Sequence, residues 1–200
     1  MSHRVIAGIA KGRKLKMVPG EGTRPIMDRV KEALFSILGG NVPEASILDL
    51  FAGTGAVGIE ALSRGASFAR FIDRDKAAIR TVQENLATCR FTDKADVLHA
   101  DALVYLEREN PTPFEIVYIA PPQYKAIWKE ALLKLDAHPQ HLAPDALVIV
   151  QIDPKEREDL PLQNLTLYDE RRYASTLLMF FEYITPEDRK TDAAISESEH

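Results

Sequence analysis

Residues 46–62 read Ser46-Ile47-Leu48-Asp49-Leu50-Phe51-Ala52-Gly53-Thr54-Gly55-Ala56-Val57-Gly58-Ile59-Glu60-Ala61-Leu62. The apolar run 46–51 suits a buried strand, and the run from Ala56 turns at helical period, so Gly53 and Gly55 fall at a strand-to-helix junction. Without a Cβ, that junction can adopt φ > 0 and offer bare backbone amides to a nucleotide-like ligand. Gly53-Thr54-Gly55-Ala56-Val57-Gly58 fits the dinucleotide fingerprint, and Asp73 follows about 20 residues on, where an acid closing a second strand grips ribose hydroxyls. Both NAD and S-adenosylmethionine satisfy this pattern. Asp49 favours the second, because a carboxylate beside the turn attracts an ammonium and repels a pyrophosphate.

Moving outward, the same alternation continues. Strands are expected at 68–73, 95–99, 114–119 and 146–152, with helices at 56–64, 75–89, 101–107 and 124–136. A βαβα series of this kind predicts an α/β, Rossmann-like fold whose mostly parallel, seven-stranded sheet carries its loops of interest on one rim. Segments 165–169 and 175–182 read as two further strands joined by a short basic turn at Arg171-Arg172, so the sheet should end in an antiparallel hairpin. Upstream, Asp28 to Leu38 has the apolar spacing of an amphipathic helix ended by Gly39-Gly40. Before it, residues 1–22 form a basic N-terminal β-hairpin extension with Lys11-Gly12 at its tip. The main domain is expected over 23–184 and a disordered acidic tail over 185–200.

The chain has 200 residues, a net charge of −5 and 46% hydrophobic content, enough for one full core. No apolar run is long enough to cross a membrane, and the reading is of a soluble, cytoplasmic monomer. The single Cys89 is expected to pack in a helix, and no Cys/His grouping at metal spacing is present. Charge is distributed unevenly. Residues 1–34 hold eight Lys and Arg (Arg4, Lys11, Arg13, Lys14, Lys16, Arg24, Arg29, Lys31) against Glu21, Asp28 and Glu32, a net of +5, so the rest carries −10 of the total −5. A basic arm on an acidic body points to a polyanion at one end of the molecule.

The strand 114–119 runs into Ala120-Pro121-Pro122-Gln123-Tyr124. Two prolines fix φ twice, remove two donors and leave carbonyl acceptors beside an aromatic ring. Such a loop suits a planar base bearing an exocyclic amine: the ring stacks, the carbonyls take N–H hydrogens, and the nitrogen lone pair turns toward a methyl donor.

With both loops in view the chain resembles the class I S-adenosylmethionine-dependent methyltransferases. Within them, Arg4-Val5-Ile6-Ala7-Gly8, Gly12-Arg13-Lys14-Leu15, Thr23-Arg24-Pro25, Asp28-Arg29-Val30-Lys31-Glu32-Ala33-Leu34-Phe35, Leu48 to Gly55 and Gly58-Ile59-Glu60-Ala61-Leu62-Ser63-Arg64-Gly65 look like the bacterial 16S rRNA guanine-N2 methyltransferase family. The resemblance implies that Asp49 and the Gly53 to Gly55 turn, Thr54 included, hold the methionine part of S-adenosyl-L-methionine. It further implies that Asp73 takes the ribose hydroxyls and Asp101 the adenine amino group, with Phe51, Ala52, Arg74, Ala102 and Ala120 lining the same site. The residues alone also allow Asp101 to be an ordinary helix N-cap. Arg4, Lys11, Arg13, Lys14, Arg24 and Arg29 would then contact phosphates of ribosomal RNA or of an assembling small subunit.

One loop departs from the family pattern. Where the family carries Asn or Asp before Pro-Pro and an aromatic residue after, this chain has Ala120 before and Gln123 intervening before Tyr124. The expected roles are stacking of the flipped base by Tyr124, one N–H accepted by the Pro121 carbonyl and a second by Gln123. Three other readings stay open: a methyltransferase for another substrate, an S-adenosylmethionine and RNA-binding protein without turnover, and a nicotinamide-dependent enzyme.

Overall fold

A computed structural model describes residues 3–20, 26–109 and 111–185. Helix α1 (Asp28–Leu38) precedes strand β1 (Ser46–Asp49), helix α2 (Ala56–Ser63), strand β2 (Phe68–Asp73), helix α3 (Lys76–Cys89), strand β3 (Ala95–His99) and the single-turn helix α4 (Ala102–Tyr105). Strand β4 (Phe114–Ile119), helix α5 (Ile127–Ala137) and strands β5 (Leu142–Ile152), β6 (Leu165–Tyr173) and β7 (Thr176–Tyr183) complete the order. The seven strands form one sheet in the order β3-β2-β1-β4-β5-β7-β6. The first five pair in parallel, and β7 pairs antiparallel with both β5 and β6.

Strand residues divide between two buried layers with the period of two that a pleated strand imposes. Ile47, Phe71, Ile116, Tyr118, Ile149 and Phe180 face a layer built by α1, α2 and α3, including Leu34, Phe35, Val82 and Leu86. Leu48, Ile72, Val117, Val148, Val150 and Met179 face the opposite layer, where Tyr105, Leu106, Trp128, Leu132 and Leu135 pack from α4 and α5. Burial on both faces explains why the parallel strands read as continuous apolar runs. Trp128 is buried in its layer, as a packing role required, and Cys89 is buried at the end of α3. No helix among the described residues is long and apolar enough to cross a membrane.

Several boundaries differ from expectation. Arg171 and Arg172 lie inside β6, paired with Leu178 and Leu177, and the reversal falls at Ala174-Ser175, with Ala174 at φ 51. Strand β5 begins four residues early and runs through Pro144 and Asp145, a stretch that reads as a break, with its pairing to β4 shifting register between Phe114 and Ile116. Helix α5 starts at Ile127 rather than Tyr124, because Ala126 sits in the left-handed region at φ 54. The N-terminal hairpin has a single antiparallel bridge, Arg4 to Lys14, supported by N–H donation from Val5 to Arg13 and from Leu15 to His3. Its Val5, Ala10 and Leu15 belong to the same buried layer as α1 and α2. The expected tail beyond Thr185 lies outside the described residues.

Candidate cofactor and nucleic-acid site

Four parallel strand ends bring the loops together. The chain leaves β1 for β2 and β3 on one side and returns to β4 on the other, so a crevice opens between the carboxyl ends of β1 and β4. Asp49 ends β1 in register with Tyr118 of β4 and Phe71 of β2, and Asp73 ends β2 in register with His99 of β3. The glycine turn and the Pro-Pro loop therefore stand on either side of the crevice.

Asp49 is the most unusual group there. It is 1% exposed, and its Oδ1 is buried without a hydrogen-bond partner among the described residues. Burial pushes its carboxyl up to about 7; hydrogen bonds from the backbone of Gly58 and Phe51 restrain the rise, and the charge of Asp73 adds to it. An uncompensated buried carboxylate oxygen is costly, and it leaves a lone pair that a donor or cation can fill.

In the turn, Gly53 and Gly55 adopt φ 54 and φ 76, the left-handed conformation expected of them. Their amides, however, are not bare. Gly53 N–H donates to Asp73 Oδ2 at 2.9 Å and Gly55 N–H to the Ala52 carbonyl at 2.7 Å, which satisfies donors that burial would otherwise leave unpaired. Asp73 thus braces the turn with one oxygen and caps Asp75 N–H with the other at 2.9 Å. Ala52 N–H donates to the Ile72 carbonyl, Phe51 is half-buried, and the exposed Arg74 presents its carbonyl to His99 Nε2 at 3.0 Å. Asp101 caps α4, its Oδ1 accepting from Leu103 N–H at 2.8 Å and Val104 N–H at 3.3 Å, while Ala102 opens that helix as a buried residue. The cap reading of Asp101 is realised, and its Oδ2 takes no part in it.

Across the crevice Ala120 is half-buried, Pro121 buried, Pro122 exposed and Gln123 half-buried. Tyr124 is 66% exposed at φ 62. Its phenol donates to Asp153 Oδ2 at 2.6 Å and its amide to Glu156 Oε1 at 2.9 Å. The residue is thereby exposed at the rim while its phenol and its amide are both held.

The N-terminal segment adjoins this site directly. His3 Nε2 is hydrogen-bonded to Thr54 Oγ1 at 2.8 Å, and Asn85 Nδ2 donates both to the Thr54 carbonyl and to the Lys16 carbonyl. Burial, then the nearby Lys31 ammonium, lower the His3 pKa, against a smaller opposing pull from Asp28. From there the hairpin reaches Ser63 at the far end of α2, where Ile9 and Ala10 donate to it just before the Lys11 tip. Arg4 pairs with Asp28 at 3.4 Å, and Arg13 donates to the Thr88 carbonyl. Lys11, Lys14 and Arg29 are exposed and make no ion pair among the described residues. Arg24 lies outside the described residues.

The family model described as Conserved hypothetical protein 95 matches residues 3–182. The chain belongs to that family. Ribosomal RNA small subunit methyltransferase D of Haemophilus influenzae is 35% identical over 170 residues, covering 84% of this chain and 87% of the relative. The protein of the same name from Escherichia coli K12 is 36% identical over 168 residues, covering 84% and 83%. The solved structure of yhhF from Escherichia coli superposes with a TM-score of 0.82 at 33% identity, covering 92% of this chain and 99% of that one. An RNA methyltransferase of Salinibacter ruber, solved with S-adenosyl-L-homocysteine, shares the fold with a TM-score of 0.62 at 14% identity, over 82% and 98% of the two chains. The fold is thus the Rossmann-like fold of methyltransferases, with an antiparallel finish to the sheet.

Within the family frame, the residues that sequence reasoning did not single out are those that brace the site. Glu60 is fully buried and accepts from Ile6 N–H at 2.8 Å, Ala7 N–H at 2.9 Å and Arg64 Nε at 2.9 Å, and it pairs with the fully buried Lys31 at 3.2 Å. Glu60 falls on the apolar helix after the glycine turn and Lys31 at an apolar-facing position of α1, and charges inside such patterns are the available signal. Asn85, Asp153 and Glu156 carry no pattern of their own; only tertiary contact gives them meaning.

Proposed function

We propose that this chain transfers a methyl group from S-adenosyl-L-methionine to the exocyclic N2 amine of a guanine in small-subunit ribosomal RNA. The observation that carries the reading is the buried, half-unpartnered Asp49 carboxylate at the crevice between the glycine turn and the Pro-Pro loop. An α-ammonium is the cation that fits there, and a pyrophosphate is not. Asp73, braced against Gly53, keeps lone pairs for ribose hydroxyls, and Asp101, which caps α4 through Oδ1, keeps Oδ2 as an acceptor for the adenine amine. When bound, the cofactor supplies a methyl group on positively charged sulfur that departs as a neutral thioether. The protein's own share is placement. Tyr124 stacks a base taken out of its helix, and the Pro121 carbonyl accepts one amine hydrogen, with Gln123 as second acceptor. No general base is required before transfer, since the amine's proton leaves to water afterwards. The exposed Lys11, Lys14 and Arg29, with Arg4, supply phosphate contacts.

Two measurements test this. Labelled cofactor incubated with small ribosomal particles lacking the modification is expected to give N2-methylguanosine on digestion and mass spectrometry. Ala120 carries no polar group where the family has an acceptor, which favours a second reading in which turnover has been lost. Product from Ala120→Asp alone, and none from the unaltered chain, would establish that second reading. The other measurement follows from Asp49. Its folded value is raised, so its contribution to the ligand-free fold is fully present below the unfolded value near 4 and lost as pH rises through about 7. Binding an ammonium requires the ionised form. Affinity for S-adenosyl-L-homocysteine is therefore expected to fall about tenfold per pH unit below 7 and to level off above 8, read by calorimetry. A flat affinity between pH 6 and 8 would remove Asp49 from the cofactor site.

A further inference from the structure

Within the reading just given, we infer that Asp153 and Glu156, on the turn after β5, are positioning residues that set the Tyr124 ring for the incoming base. The residues Asp153-Pro154-Lys155-Glu156 form a compact strap, with Asp153 Oδ1 accepting from Lys155 N–H at 2.9 Å and Glu156 N–H donating to the Asp153 carbonyl at 2.9 Å. From this strap two carboxylates reach across to one residue of the Pro-Pro loop: Asp153 Oδ2 takes the Tyr124 phenol and Glu156 Oε1 its amide. The contacts span 29 and 32 residues of sequence, so they are not local turn geometry.

The loop needs such fastening. Tyr124 and Ala126 both occupy the left-handed region at φ 62 and φ 54, conformations that non-glycine residues hold only when their surroundings impose them. Inside the loop, Ala120 has no side chain able to tie it down, whereas an Asn or Asp there could hydrogen-bond. The strap supplies that restraint from outside. Asp153 is 8% exposed and its hydrogen bond from the phenol is charge-assisted, a short, strong bond at 2.6 Å. Held at phenol and amide, a residue 66% exposed is nevertheless fixed in place.

The test is a double-mutant cycle on methyl transfer to small ribosomal particles, using Tyr124→Phe, Asp153→Ala and the pair. Tyr124→Phe keeps the ring and removes one bond. It is expected to lower kcat/KM for the particle about tenfold with cofactor affinity unchanged. Adding it to Asp153→Ala should cost nothing further, since both act through the same bond, and Asp153→Asn, which keeps an acceptor, should recover part of the loss. Multiplicative losses, or no loss, would overturn the inference while leaving the methyltransferase reading intact. Amide hydrogen exchange over residues 123–127, measured in the same variants without substrate, separates the two. Asp153→Ala should speed exchange there at least tenfold and leave β4 unaffected. Unchanged exchange overturns the positioning role whatever the RNA assay gives.

Discussion

Glu60→Ala should destabilise the protein by about 3–5 kcal/mol, the scale seen when one partner of a buried ion pair is removed. Glu60 and Lys31 are both fully buried, and Lys31 also donates to the Arg4 carbonyl at 2.6 Å. Burial lowers the Lys31 pKa and the Glu60 carboxylate acts against that lowering, so alanine leaves an ammonium without its counter-ion. Three further donors, Ile6 N–H, Ala7 N–H and Arg64 Nε, lose their acceptor together. Urea unfolding is the direct measurement, and the melting temperature should drop by about 10 °C or more for a chain of this size. A Lys31→Met, Glu60→Leu double variant should recover part of the loss by removing the stranded charge. A cost below about 1 kcal/mol for Glu60→Ala would mean that water reaches the pair.

The second large effect is local. Gly8 lies at φ 80 against the end of α2, and a Cβ built on it would stand 1.7 Å from the Ser63 carbonyl oxygen and 2.2 Å from its carbon. Neither atom can move away without unwinding the helix, and alanine is strained at this φ besides. Gly8→Ala should therefore lift the hairpin from α2. It would break Ile9 N–H to Ser63 O at 2.8 Å, Ala10 N–H to Ser63 Oγ at 2.9 Å and Ser63 Oγ to the Ala7 carbonyl at 2.6 Å. The expected loss is about 3 kcal/mol, summed from overpacking and broken hydrogen bonds. Limited proteolysis should then cut within residues 3–18 while the sheet survives. Protection of that segment equal to the parent's would show that the turn relaxes by another path.

The sheet was readable because period-two and period-3.6 patterns alternate cleanly between β1 and α3, and because glycines and prolines mark the loops. The series through β4 follows these patterns closely, and the rim that gathers Asp49, Asp73, Asp101 and Ala120 follows from parallel topology alone. What failed did so for physical reasons. Pro144 reads as a breaker, yet β5 accommodates it where the pairing with β4 is irregular. Arg171-Arg172 reads as a turn because charged pairs favour solvent, yet β6 is an edge strand, where charge is normal. The glycine amides seemed open because a sequence shows only the missing side chains; the acceptors, Asp73 and the Ala52 carbonyl, appear once the chain has folded. The same holds for the hold on Tyr124, whose partners lie about thirty residues away.

The way the first residues are fastened also sets an order of events. His3 meets Thr54, Ile6 meets Glu60 and Lys16 meets Asn85, separations of 51, 54 and 69 residues. Each contact closes a long loop whose entropy must be offset before it is rewarded. The arm has nothing to dock on until α2 and α3 have formed. The arm thus settles late, and the carboxylate that receives it, Glu60, sits on the helix that springs from the glycine turn. Docking of residues 3–16 is thereby tied to the placing of α2 and α3, so His3 reaches Thr54 only after the helix that follows the glycine turn has found its seat.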